Sequence, residues 1–304
     1  MSSLLTNSGA MTALTTLRMV GENLATTQNR ISTGQRVATA SDNAAYWSIA
    51  TSMRADNSAL SAVSDSLGLS AATVDTQFTG LTSVLGSDGK SGLNKLEALL
   101  VQAKTPGIDR VKIQSEVTQI QQDMKNDASS STFNGVNLLS TTATTPATTA
   151  LVTSFSRVGN VPTINTITLT TANYALYTAT STGILDTVTG TASIDTINIS
   201  ALTDSAADQT TLDGYIAQVT AAISSVTQAA ADLGAVKNRL QNNTEFVKSL
   251  MDSVARGIGQ LVDADMNAES TRLQALQVQQ QLGVQALSIA NSNSQSILSL
   301  FRNG

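Results

Sequence analysis

Both ends of the chain carry small and apolar residues at alternating spacings of three and four, a repeat that forms one stripe along an α-helix. Near the amino end the stripe consists of Ala10, Leu14, Leu17, Gly21, Leu24, Gln28 and Ile31. Near the carboxyl end it consists of Leu273, Leu276, Gln280, Gly283, Leu287, Ala290, Ser294, Ile297 and Phe301. Because such a stripe is stable only when buried, each end is expected to pack against another helix. We expect close approaches at the two glycines and hydrogen-bond partners for the two glutamines.

Two interpretations of these stripes remain open at this point. The two ends can pair within one chain as a coiled coil with no role in assembly. Alternatively, the paired ends can also contact neighbouring copies of the chain in a polymer. Heptad spacing favours neither interpretation, because it reports only that helices pack side by side.

The region between the stripes begins and ends with further predicted helices. Apolar residues at helical spacing predict helices over 42–85, 91–103 and 108–124, and again from about 214 onward, with a turn near 263–269. Gly34 is a candidate helix end, and Thr39, Ser41 and Asp42 are candidate caps for the helix that follows. Asp263 and Asp265 are better explained as helix caps than as metal ligands.

The middle of the chain has a different composition, since 24 of the 60 residues from 141 to 200 are Ser or Thr. Mixed Ile/Thr patterns predict short strands over 163–170, 173–180 and 193–200. A disordered Thr-rich linker is the alternative. The predicted fold is therefore mainly α, with long antiparallel helices from both chain ends forming a coiled-coil-like bundle and a small β-hairpin-rich insertion in the middle.

Composition excludes several classes of function. The chain has no cysteine and no histidine, which removes thiol chemistry, imidazole acid–base catalysis and the commonest zinc ligands. Its net charge of −5, without a basic cluster, argues against nucleic-acid binding. No apolar run approaches the ~20 residues of a membrane span, and the first residues lack the pattern of a cleavable signal peptide. We expect no catalytic residue, no metal site, no cofactor and no membrane insertion.

Several segments, in order along the chain, resemble conserved stretches of the bacterial flagellins. They are NRISTGQRVATASDNAAYWSIATSMRAD (29–56), DRVKIQSEVTQI (109–120), STFNGVNLL (131–139), LGAVKNRLQNNTEF (233–246) and DADMNAESTRLQALQVQQQLGVQALSIANSNSQSILSLFR (263–302). The resemblance covers about two-thirds of the chain and includes both ends. It implies a structural subunit, not an enzyme, that self-assembles into the helical flagellar filament used for motility. A peptidase insert, which some flagellins carry, needs H-E-x-x-H and is excluded by the absence of histidine.

The resemblance also implies an organisation and a set of partners. Residues 1–44 with 265–304 would form the inner polymerisation domain, 45–140 with 214–264 a helical bundle domain, and 141–213 a variable β-rich surface region. The chain would be extracellular, exported without a cleaved signal peptide. Its partners would be further copies of itself, other flagellin paralogues, the flagellar export apparatus, an export chaperone, and filament cap and hook-associated proteins. The alternatives are a hook–filament junction protein of the same family and a soluble coiled-coil adaptor.

Two sets of candidate site residues follow. The predicted polymerisation interface comprises Leu14, Leu17, Gly21, Leu24, Ile31, Leu273, Leu276, Gly283, Leu287, Ala290, Ile297 and Phe301. The second set lies where many flagellins carry an Arg-Glu pair that vertebrate innate receptors recognise. This chain reads LNKLEALLVQ (93–102) there and places Glu97 and Ala98 at those positions. The departure predicts loss of recognition, although drift on a solvated helix explains the change equally well.

Overall fold

The computed structural model describes residues 7–142, 145, 147–158, 161–188 and 192–302, without the side chains of 157, 158, 161, 162, 294 and 297–302. Contacts divide the chain into one unit of Met1–Ser58 with Asp252–Gly304 and another of Ala59–Met251. Within the described residues the helices are α1 (Ser8–Thr33), α2 (Ala44–Leu85), α3 (Gly92–Ala103), α4 (Arg110–Ser130), α5 (Ala206–Val262) and α6 (Met266–Arg302). The strands are β1 (Ser140–Thr141), β2 (Thr148–Val158), β3 (Val161–Thr170) and β4 (Tyr177–Thr178). The predicted fold class is confirmed, and no described helix is long and apolar enough to cross a membrane.

Helix boundaries follow local chemistry, though not always at the predicted residue. α1 ends at Gly34, whose φ of 69° is the left-handed conformation that glycine adopts readily. The predicted caps of α2 were wrong, because Asn43 is the residue whose Oδ1 accepts from the Tyr46 backbone N–H at 3.1 Å. Asp42 instead closes the preceding loop by accepting from the Thr39 backbone, and this hydrogen bond is the main cause of its lowered pKa.

The second unit is built on two stripes that repeat every seven residues. On α2 the fully buried members include Leu60, Leu67, Val74 and Leu81, and on α5 they include Leu212, Val219, Val226, Leu233, Leu240 and Val247. Contacts from α2 to α5 show that these helices run antiparallel. The Lys237 Nζ lies 2.7 Å from the Asp75 Oδ1, and the Phe78 ring lies beside Gly234. Burial of these apolar stripes is the main source of stability in this unit.

The insertion contains one long hairpin and much irregular structure. β2 pairs antiparallel with β3 from Thr148↔Thr170 to Val158↔Val161, while β1 and β4 pair in parallel over two residues. The strand predicted over 163–170 is confirmed as part of β3, but β2 was not predicted. The strand predicted over 173–180 is reduced to the two residues of β4.

The strand predicted over 193–200 was wrong, because these residues contain a short 3-10 helix, Ile194–Thr196. Two glutamine side chains of α4 supply the hydrogen bonds that a neighbouring strand would have made. Gln121 donates to the Ile194 carbonyl at 2.8 Å, and Gln114 accepts from the Ile199 backbone N–H at 2.8 Å. The isoleucines are therefore buried in the core without forming a sheet.

Candidate functional site

The paired terminal helices of the first unit are the candidate functional site. Three contacts show that α1 and α6 run antiparallel along their lengths. The Asn7 side chain donates to the Ala290 carbonyl at 2.9 Å, and the Arg30 Nη1 lies 3.1 Å from the Glu269 Oε1. Between these two, a Cβ added to Gly283 would lie 3.0 Å from the Leu17 Cδ1. The pairing of the two chain ends is thus a property of the single chain.

The seam on α1 lies one residue away from part of the predicted stripe. Leu17, Leu24 and Ile31 are half-buried as expected. The positions between them are Val20 and Thr27, with exposed fractions of 6% and 2%. The residues predicted for the positions between them were Leu14, Gly21 and Gln28. Leu14 is 38% exposed and Gln28 is exposed. A Cβ added to Gly21 meets no described atom within 4 Å. The predicted close approach at Gly21 and buried amide at Gln28 were therefore wrong.

The seam on α6 follows the predicted stripe more closely. Leu276 is buried, and the half-buried members are Leu273, Gly283, Leu287 and Ala290. Gly283 makes the predicted close approach, since a Cβ there would press on Leu17. Gln280 is exposed, so its predicted burial was wrong. The side chains of Ser294, Ile297 and Phe301 lie outside the described residues.

A short backbone pairing links the loop after α1 to the end of α5 and the turn before α6, and we call residues 34–37 with 261–264 the joint. The Ala264 backbone N–H donates to the Gly34 carbonyl at 2.9 Å, and the Arg36 N–H donates to the Val262 carbonyl at 2.6 Å. Asp265 then caps α6, because its Oδ1 accepts from the Asn267 and Ala268 backbone N–H groups at 2.9 and 3.2 Å. The predicted capping role is confirmed for Asp265. Across the described residues, no cluster of three or more acidic side chains suits a metal ion.

Glu269, in the first turn of α6, is a buried carboxylate that the sequence did not single out. It is 7% exposed, and its Oε1 lies 3.1 Å from the Arg30 Nη1 and 3.4 Å from the Arg272 Nη1. No donor among the described residues reaches its Oε2. Among the described residues, only one of its two oxygens therefore has a partner. Its spacing of seven residues before Leu276 was the available signal that it lies in the seam.

Apolar side chains also lie on the sides of the helix pair that face away from the seam. We call Val278, Leu282 and Ile289 of α6 the outer stripe; their exposed fractions are 55%, 57% and 63%. Their spacings of four and seven residues place them on one side of α6. On α1, Met11 and Met19 are exposed as well. Contiguous exposed apolar residues commonly mark protein–protein contacts.

The second set of candidate residues lies on α3 in the other unit. Glu97 is half-buried, and its Oε1 accepts a hydrogen bond from the Thr220 hydroxyl of α5 at 2.9 Å. Ala98 is exposed. Glu97 occupies one of the positions considered for receptor contact, and its side chain is hydrogen-bonded within the chain.

Comparison with known proteins matches both ends and the full length of the chain. A family described as the bacterial flagellin N-terminal helical region matches residues 4–144, and one described as the bacterial flagellin C-terminal helical region matches residues 216–301. Flagellin C of Rhizobium meliloti is 44% identical over 99% of this chain and 100% of the relative. A flagellin of Brucella melitensis is 43% identical and flagellin A of Rhizobium meliloti is 37% identical, each with the same coverage.

Proposed function

This chain belongs to the bacterial flagellin family and is a structural subunit of the flagellar filament, and we propose that subunits join through the outward sides of its α1–α6 pair. The family is structural and not enzymatic, and the filament is extracellular. Self-polymerisation follows from the relatives' identity as flagellins. The alternative of a hook–filament junction protein is not favoured, because the named relatives match along the whole chain as flagellins.

The exposed outer stripe carries this proposal. In the isolated chain Leu282 and Ile289 leave more than half of their side-chain surface in water. Fully burying one such side chain contributes roughly 1.5–3 kcal/mol, so a few contacts per subunit provide a substantial driving force. In this proposal each contact joins two different sides of neighbouring subunits, and a contact of this kind that does not close into a ring grows into a helix.

Within this proposal the predicted interface residues have two roles. The seam residues hold α1 and α6 together; they are Leu17, Leu24, Ile31, Leu273, Leu276, Gly283, Leu287 and Ala290. Leu14 and the outer stripe contact neighbouring subunits. Gly21 faces open space at the edge of the pair, and we assign it to the neighbour-facing side. Sedimentation of filaments grown from outer-stripe variants tests the proposal, because a charge placed there without effect on growth would contradict it.

We also propose the domain organisation that the resemblance implies. Residues 1–44 with 265–304 would act as the polymerisation domain, 45–140 with 214–264 as the supporting bundle, and 141–213 as the surface region. The contacts between α1 and α6, namely the Arg30–Glu269 ion pair and the Asn7–Ala290 hydrogen bond, support treating the two segments of the polymerisation domain as one body.

Export through the flagellar apparatus is the proposed route to the filament. An export chaperone, the filament cap and hook-associated proteins would act on the chain on its way, and no segment would be cleaved. We expect the chain to disappear from the medium when the export apparatus is inactivated, as measured by immunoblot, and the filament subunit to keep its full mass. Continued secretion in that strain would contradict this route.

Recognition by vertebrate innate receptors is proposed to be lost at Glu97 and Ala98. Glu97 places a negative charge where the receptor contact uses a positive one, and its hydrogen bond to Thr220 holds it there. We expect the double substitution Glu97→Arg with Ala98→Glu to raise activation in a receptor reporter assay at least tenfold over the parent chain.

The control for this assay is Thr220→Val, which removes the hydrogen bond to Glu97 but keeps its charge. It should leave activation at the parental level. Strong activation by the parent chain itself would disprove the proposed loss.

A further inference from the structure

The α1–α6 seam does not by itself fix the alignment of α6 on α1, that is, which residues of the two helices lie opposite each other. Its members repeat every seven residues and are small or apolar on both helices. Moving α6 by one repeat would place Gly283 where Leu276 or Ala290 now lies, again against the leucines of α1. Because such a move exchanges apolar contacts for apolar contacts, the seam discriminates weakly between alignments.

Glu269 is different, because it carries a charge into the seam. It lies seven residues before Leu276 and therefore shares that side of α6, so it would stay in the seam after a move of one repeat toward the start of α1. Its Oε1 accepts from Arg30 at 3.1 Å and from Arg272 at 3.4 Å. Arg272 belongs to α6 and would move with it. Arg30 is therefore the partner whose contact depends on the alignment.

We propose that Glu269, acting through Arg30, is the positioning residue that sets the alignment of α6 on α1. Seven residues before and after Arg30 the chain carries Asn23 and Val37, and neither side chain is charged. A move toward Asn23 would thus bury the carboxylate without its cross-helix cation, which is strongly unfavourable. A move toward Val37 would carry the carboxylate past the end of α1 at Thr33 and away from Arg30. The joint pairs the backbone just after α1 with the backbone just before α6, whereas this ion pair connects the two helices inside the seam. The importance of the alignment for filament growth rests on the proposed assembly role of the pair.

The absence of native cysteine allows the alignment to be read by disulfide formation. A Cβ added to Gly9 lies 3.8 Å from the Ala290 Cβ, a separation that suits a disulfide. Gly9→Cys with Ala290→Cys therefore reports the observed alignment. Thr16→Cys with Ala290→Cys and Gly9→Cys with Gly283→Cys report moves of one repeat in the two directions. In the soluble full-length chain under mild oxidation, we expect the first pair to form its intramolecular disulfide at least tenfold faster than the others.

Substitutions of the ion pair then test the role of Glu269. Glu269→Ala should lower the ratio of observed to moved cross-links at least fivefold. Arg30→Met with Glu269→Leu should lower it similarly while helicity by circular dichroism stays unchanged, because an apolar pair can keep stability but not alignment.

Three results would decide against the proposal or against its premise. The proposal is overturned if both ion-pair variants keep the parent chain's ratio of observed to moved cross-links, because the joint alone would then set the alignment. A fall of all cross-links to background would also overturn it, because the ion pair would only hold the helices together. Parental filament growth in outer-stripe variants would count separately against the assembly role, since the cross-link ratio is measured without assembly.

Discussion

A chain that lacks residues 273–304 is expected to form no filaments under conditions in which the full-length chain assembles. The deletion removes the seam of α6 and the whole outer stripe, so α1 loses its partner and the proposed contact between subunits disappears. The second unit, Ala59–Met251, lies outside the deleted segment and keeps both of its buried seven-residue stripes. We therefore expect this unit to stay folded.

Sedimentation and electron microscopy measure the first part of this prediction, and circular dichroism with thermal melting measures the second. The full-length chain, treated in parallel, is the control for assembly conditions. Normal tubes from the truncated chain would refute the assembly role of α6. Loss of the cooperative melting transition would instead show that the second unit needs α6 to fold.

Leu282→Asp is expected to raise the concentration needed for filament growth at least tenfold, with little change in the stability of the isolated chain. The side chain is 57% exposed, so the free energy of unfolding should change by less than about 0.5 kcal/mol. In the filament the aspartate would be buried against a neighbouring subunit without a cation. A tenfold change corresponds to about 1.4 kcal/mol, well within the cost of burying an unpaired charge.

The matched control is Leu282→Met, which keeps an apolar side chain of similar volume at the same position. It should assemble at nearly the parental concentration, measured by sedimentation across a dilution series. Equal assembly of the Asp and Met variants would show that the outer stripe stays in water in the filament. Urea unfolding of both variants checks that the monomer is unaffected.

The helices could be predicted from the sequence, but the side of α1 that forms the seam could not be fully predicted. Two sets of residues fit the three-four spacing, and they share Leu17, Leu24 and Ile31. One set continues through Leu14 and Gly21 and the other through Val20 and Thr27, and the structure buries the second. Periodicity locates the buried stripe only to within about one residue, and contacts with the partner helix determine its exact position.

The insertion and the buried charge escaped prediction for a different reason. Residues 193–200 carry a strand-like pattern, yet side chains of α4 satisfy their backbone in an irregular conformation. Glu269 was missed because an isolated carboxylate in a stripe resembles a solvated position until Arg30 is found opposite it. Both depend on contacts between residues more than 70 positions apart, which no local pattern reports.

The seven-residue stripes of α2 and α5 restrict how a chain of this kind can change in length. A single inserted residue turns everything after it by about 100° around the helix axis. An insertion just before Val226 would therefore turn Val226, Leu233, Leu240 and Val247 out of the core together. Additions that are not multiples of seven are tolerable only where no stripe runs through the point of insertion. The loop-rich stretch between α4 and α5 meets that condition, so the subunit can grow or shorten there while the helices keep their spacing.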